Sequence, residues 1–253
     1  MAGQQHVNNP QGDRLVYELQ DGRSPCVVFL SGYRSNMTGT KAQYLADWCS
    51  REGLAMLRLD YSGHGASGGS FEDGSISKWT RDTLVVIDAA TTAPLLLVGS
   101  SMGGWIMLNV ALALGQRVRA LIGIAAAPDF TRRLLRHELT GDQCAALERD
   151  GRIVMDSEYD SEGYPLTRTF VDDGEKNLLL DRPIQIDCPV RLLHGMQDQA
   201  VPWETTIRLS QALAGNNVQV RLIKDGDHRL SEPGQLAILG DTISDTLGLL
   251  AVG

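Results

Sequence analysis

Residues 95–105 read LLLVGSSMGGW, an aliphatic run that ends in two adjacent serines set among three glycines. A serine hydroxyl becomes a nucleophile only where the backbone presents it and a base takes its proton. A very tight strand-to-helix turn presents it, and crowds the positions two residues before and two after the nucleophile. Both positions then favour glycine. For Ser101 they are Gly99 and Gly103; for Ser100 they are Val98 and Met102. The spacing therefore selects Ser101, with Ser100 as the first variable residue of Gly-x-Ser-x-Gly. So short a pattern recurs by chance, and its setting discriminates: a buried-strand pattern before it and an apolar helical pattern after it.

A base and an orienting acid must follow, and on a sheet of this kind the chain order is serine, acid, histidine. There are five histidines. His6 and His64 precede the serine, His137 lies in an arginine-rich stretch, and His194 falls inside the strand-like run RLLHG. His228, in KDGDHRLS, follows the last strand-like run and can reach over the sheet edge. His194 is its main rival and reads as a hydrogen-bonded core histidine; His64 reads as a loop former. Asp198 in RLLHGMQDQAVP stands just past the preceding strand, where the acid belongs. Asp225 and Asp227 are too near His228 to approach its ring from behind, and Asp227 reads as a turn former or cap. Asp60 reads as a loop brace, and Asp172 and Asp173 remain weaker alternatives. A developing oxyanion needs backbone donors. The N–H of Met102, after the nucleophile, is one candidate; the N–H of Tyr33, behind Gly32 in SGYRSN, is the other.

The elements that must hold these residues alternate. CVVFLSG (26–32), LAMLRLDY (54–61), PLLLVG (94–99), VRALIGIAAA (118–127), CPVRLLHG (188–195) and VQVRLIKDG (218–226) read as strands. Helices are expected over 41–53 (stopped by Gly53), 75–92, 105–115, 203–215 and from about Pro233. Short all-apolar strands between helices define an α/β fold: a mostly parallel sheet covered on both faces. Residues 130–185 break the rhythm with an acidic, weakly periodic stretch carrying Tyr159, Tyr164 and Phe170. The expected organisation is one domain over residues 1–253 with a small cap-like insertion at about 130–185. The insertion's aromatics and Trp105 are candidates for an acyl pocket, with Tyr159 and Tyr164 named for it, against the plainer reading that each is packing.

The chain has 253 residues, 43% of them hydrophobic, with a net charge of −8. That length carries one large core, and that charge argues against nucleic acid. The basic cluster TRRLLRHE reads as a solvated helix face because acids follow at once. Four cysteines lie far apart with no metal-like spacing, which fits free thiols in a reducing compartment. Cys188 reads as a core thiol. The N-terminus MAGQQHVNNPQGDRLVY has no apolar signal region and no early arginine, and no apolar run reaches membrane-spanning length. The expectation is a cytoplasmic protein with neither metal nor organic cofactor, no nucleic acid partner and no membrane span, acting on a small-molecule ester.

SGYRSNMTGTKA, LDYSGHGASGG, LLLVGSSMGGW, VRALIGIAAAPDF, CPVRLLHGMQDQAVPW and DGDHR together resemble the α/β-hydrolase family. They are most similar to the branch that contains a mammalian mitochondrial acyl-glucuronide esterase and palmitoyl-protein thioesterase. The resemblance runs from about Val27 into the C-terminal helix. It implies an α/β-hydrolase fold with Ser101 as nucleophile, Asp198 as acid, His228 as base, and Tyr33 and Met102 as oxyanion donors. One departure is Ser31-Gly32 where many members have His-Gly. The activity expected is that of a serine carboxylic ester hydrolase on small to medium, mostly uncharged acyl esters; an acyl-protein or other thioesterase is the alternative. From 141 to 181 acidic residues outnumber basic ones, which disfavours anionic leaving groups such as coenzyme A. A non-catalytic binding module and a peptidase are the remaining readings.

Overall fold

The aliphatic runs of the sequence lie side by side at the middle of one sheet. The computed structural model describes residues 3–155 and 163–252. Its strands are β1 (Gln5–Asn8), β2 (Arg14–Gln20), β3 (Arg23–Leu30), β4 (Leu54–Leu59), β5 (Leu95–Ser100), β6 (Val118–Ile124), β7 (Arg152–Met155), β8 (Tyr164–Thr167), β9 (Val190–Gly195) and β10 (Val218–Ile223). Eight of them form one sheet in the order β1-β2-β4-β3-β5-β6-β9-β10. From β4 to β10 across that sheet every pairing is parallel.

Successive side chains of a strand point to opposite faces. In β5, Leu95 and Leu97 enter one core while Leu96 and Val98 enter the other. All four are wholly buried, each burial contributing about 2 kcal/mol. Two covered faces explain why the run is aliphatic at every position instead of alternating. On one face lie α2 (Ile76–Ala90) and α3 (Met102–Leu114); on the other lie α1 (Thr40–Glu52) and α8 (Pro233–Val252). Gly53 ends α1 in the left-handed region at φ 65°. Ser75 caps α2, its hydroxyl accepting the Lys78 N–H at 3.2 Å.

Two strands of the main sheet, β1 and β2, escape the sequence reading, as does the pair β7–β8. β1 pairs antiparallel with β2, and β2 pairs antiparallel with β4. β1 is QHVN, three of whose four residues are exposed, so it lacks the apolar run that marks a buried strand. Between β6 and β9 none of the described residues adds a strand to the main sheet. It forms α4 (Phe130–Arg133), a π-helical turn at Leu134–Glu138, α5 (Gly141–Asp150), the antiparallel pair β7–β8 and α6 (Arg168–Lys176). Thr140 and Gln143 close a reciprocal capping box on α5. α7 (Glu204–Ala212) then joins β9 to β10.

Candidate active site

Ser101 sits between β5 and α3 at φ 55° and ψ −122°, a conformation costly for any residue with a side chain. Its neighbours hold it there. The Ser101 N–H donates to Ile124 O at 2.9 Å, and its carbonyl accepts from Gly104 N at 2.8 Å and Ala127 N at 3.1 Å. The flanking glycines are forced by contact: a Cβ on Gly99 would stand 2.5 Å from Gly103 O, and one on Gly103 would stand 2.1 Å from Leu30 O. Ser100 is the last residue of β5 and is buried. Ser101 thus stands between the two glycines on the strained turn.

His228 lies in the loop after β10. Its Nε2 is 3.1 Å from Ser101 Oγ and its Nδ1 is 2.7 Å from Asp198 Oδ2. A carboxylate only accepts, so Nδ1 carries the proton and Nε2 offers its lone pair to the serine hydroxyl. Asp227 turns the loop as expected, accepting the Leu230 N–H at 2.9 Å. Lys41 on α1 donates to Arg229 O and ties the loop to the body of the protein.

The Asp198 side chain is wholly buried. Burial pushes its carboxyl up, but hydrogen bonds from His194 and His228 and from the Val201 N–H together hold it well below the usual carboxylate range. Oδ1 accepts from Ala200 N and Val201 N, both at 2.8 Å. Oδ2 accepts from His228 and also from His194 Nε2 at 3.0 Å. His194 is the hydrogen-bonded core histidine the strand pattern predicts, fully buried. That its partner would be Asp198 was not legible: His194 is the penultimate residue of β9, and only the turn GMQD curls the acid back over it.

The rival residues have other work. Asp60 accepts from Met37 N at 2.7 Å and Ala66 N at 2.8 Å, bracing loops as expected. Asp173 accepts from Ser77 N at 2.8 Å and Asp172 pairs with Arg168. Burial pushes the Cys188 thiol up to about 11, which suppresses the thiolate.

Gly32 rests against the turn, since a Cβ there would lie 3.3 Å from Ser101 Cβ. The next residue, Tyr33, sends its phenol O–H to Pro165 O at 2.7 Å, so its side chain is engaged away from the serine. Among the described residues no hydrogen bond takes up the N–H of Tyr33 or of Met102. The Tyr33 ring packs against Phe71 at 4.8 Å, Phe170 at 5.2 Å and Tyr164 at 5.6 Å. Trp105 is wholly buried and donates its indole N–H to Asn177 O at 3.0 Å. Tyr159 lies outside the described residues.

A cavity of about 220 Å³ opens on the Asp198 side, lined by Ala127, Phe130, Arg132, Arg133, Val201 and Arg208 among others. Three of its four arginines are paired: Arg132 with Glu175 and Asp181, Arg133 with Glu138, Arg208 with Asp181, while Arg136 is exposed at its rim. Glu138, Glu175 and Asp181, among the described acidic residues here, are thus matched locally.

A sheet of this order with a serine on a strained turn at the end of its β5 strand defines a class. The chain belongs to the α/β-hydrolase family and is a serine hydrolase of that family. A family model described as serine aminopeptidase, S33, matches residues 23–147. The chain is 39% identical over 246 residues to the palmitoyl-protein thioesterase ABHD10, mitochondrial, of Homo sapiens, covering 97% of this chain and 80% of that protein. The structure of mouse alpha/beta hydrolase domain-containing protein 10 is similar at a TM-score of 0.91 and 38% identity, over 98% of this chain and 100% of that one. A putative hydrolase from Agrobacterium vitis S4 is similar at a TM-score of 0.93 and 36% identity, over 97% and 99% of the two chains. The human relative's name carries a mitochondrial setting, whereas the expectation from this sequence is the cytoplasm. Among the described residues no helix is long and apolar enough to cross a membrane.

Proposed function

We propose that this protein hydrolyses carboxylic esters of small to medium, mostly uncharged acyl groups through a Ser101–His228–Asp198 triad. One observation carries the reading: His228 bridges Ser101 Oγ at 3.1 Å and Asp198 Oδ2 at 2.7 Å. In the first half-reaction His228 takes the hydroxyl proton as Ser101 attacks the acyl carbonyl, then gives it to the departing alcohol. In the second, water activated by the same imidazole attacks the acyl-enzyme and releases the acid. Asp198 orients His228 and stabilises its cation. The N–H groups of Met102 and Tyr33 receive the oxyanion. The preference for uncharged acyl groups is supported by the aromatic cluster of Tyr33, Phe71, Phe130, Tyr164 and Phe170 beside the turn. Residues 130–185 act as its cap, joined to the body through Tyr33 and Trp105. The proposed compartment is the cytoplasm, supported by four cysteines that are all free.

Thioesters are the second reading. The same chemistry serves them with a better leaving group, and the name of the human relative, a palmitoyl-protein thioesterase, favours it.

The test is hydrolysis of p-nitrophenyl esters of increasing acyl length by the wild type and by Ser101→Ala, with fluorophosphonate labelling of both. The expected result is one label per wild-type chain, none on the variant, and a loss of about four orders of magnitude in kcat. A wild type inert to the panel and the label, or a variant that keeps its rate, overturns the reading.

A further inference from the structure

Two imidazoles converge on one oxygen of Asp198. His228 Nδ1 lies 2.7 Å from Oδ2 and His194 Nε2 lies 3.0 Å from the same atom. His194 Nε2 is also 3.0 Å from the carbonyl of Val201. A carboxylate and a carbonyl both only accept, so the proton of His194 sits on Nε2 and is shared between them. The other nitrogen, Nδ1, is 2.6 Å from Thr206 Oγ1 and accepts its hydroxyl proton. The ring is completely buried and hydrogen-bonded at both nitrogens.

We propose that His194 is a positioning residue for the reaction: its Nε2–H fixes Asp198 and, by sharing Oδ2, limits how strongly the carboxylate holds a proton on His228. This rests on the triad reading given above. Each donor to an oxygen draws charge from it, so a carboxylate that serves two imidazoles stabilises the imidazolium of either less than one that serves a single ring. Thr206 on α7 is part of the device, because its hydroxyl holds the far nitrogen of the ring that aims a donor at Asp198.

Charged groups on the neighbouring elements have bonds of their own. Lys41 on α1 is bound to Arg229 O, Arg133 on α4 to Ala200 O, and Asp227 to Leu230 N. Among the described residues the hydrogen bonds to Asp198 come from His194, His228, Ala200 and Val201.

The experiment is the pH dependence of kcat/KM on a p-nitrophenyl ester for the wild type, His194→Leu and His194→Gln, beside Ser101→Ala as the control for the triad. The leucine removes the donor; the glutamine amide can supply one at about the place of Nε2. The acid limb is expected to move to higher pH by about half a unit or more in His194→Leu, with a lower kcat, and to stay with the wild type in His194→Gln. A loss of stability and rate with the limb unmoved, or moved to lower pH, overturns the proposal. So does a folded glutamine variant that behaves as the leucine one. Should the variants not fold, nitrogen NMR of histidine-labelled wild type decides: a neutral Nε2–H ring at His194 across the active pH range supports it, and an Nδ1–H or cationic ring overturns it. If Ser101→Ala keeps its rate and fluorophosphonate fails to label the wild type, the triad reading has failed instead.

Discussion

Gly103, in the first turn of α3, lies so close to the end of β3 that a Cβ on it would stand 2.1 Å from the carbonyl oxygen of Leu30. The obstructing atom is backbone in a central strand and cannot step aside. Gly103→Ala should therefore cost about 3 kcal/mol or more, read as urea unfolding, and should cut activity by moving Ser101. Gly141→Ala is the control, because a Cβ there meets nothing within 4 Å; it should be neutral or slightly stabilising. Equal behaviour of the two would remove contact as the reason for glycine in this turn.

Asp198→Asn keeps the shape of the acid and changes what it can accept. Wherever its amide nitrogen points, it meets donors: Ala200 and Val201 N–H on one side, His194 and His228 on the other. The variant should lose about four orders of magnitude in kcat with a far smaller change in KM. A loss of less than tenfold would dismiss Asp198 as the orienting acid.

Tyr33→Phe deletes only the phenol that donates to Pro165 O. The backbone N–H proposed to receive the oxyanion stays. Stability should fall by about 1 kcal/mol, and kcat by less than tenfold. A loss as large as that of Ser101→Ala would move the function of Tyr33 from its backbone to its side chain.

His64 provides a pH test of stability. Burial among Tyr61, Phe71 and Trp79 lowers its ring from 6.5 to about 4. The unfolded chain takes up this proton below about pH 6.5 while the folded one refuses it until about 4, so stability falls as pH drops through that window. From pH 7 to 5 the contribution lost is about 2 kcal/mol. His64→Phe should flatten that part of the urea-unfolding profile. An unchanged slope means that the ring charges without cost.

Coenzyme A thioesters should be poorer substrates than uncharged esters of the same acyl chain. The net charge is −8, and three of the four arginines lining the cavity next to Val201 already have acidic partners. Little remains to attract a polyanionic leaving group. Equal or higher kcat/KM on the thioester would show that an anion site exists after all.

The centre of the fold was the legible part, because burial on both faces writes an aliphatic run into β3, β5, β6 and β9. The turn was legible too, since steric contact at Gly99 and Gly103 admits one residue type. The edge was not: β1 is short and mostly exposed, and its pairing with β2 leaves no compositional mark. Nor was the paired strand β7–β8, which lies in a stretch without clear period. α3 begins at Met102 instead of Trp105, because Gly103 and Gly104 carry no helical signal even where packing demands them. The second histidine on Asp198 depends on how a loop folds back, which spacing alone does not encode.

Tyr33 belongs to two structures at once. Its backbone lies behind Gly32 against the serine turn, while its ring and hydroxyl are held by Tyr164, Phe170 and Pro165 of the insertion. The segment proposed to act as a cap is consequently not an interchangeable module. A chimera carrying a relative's insertion would have to bring a matching partner for this one ring, or else disturb the loop beneath it. Exchange of specificity within such proteins is then constrained to pairs: segment and anchor must be transplanted together.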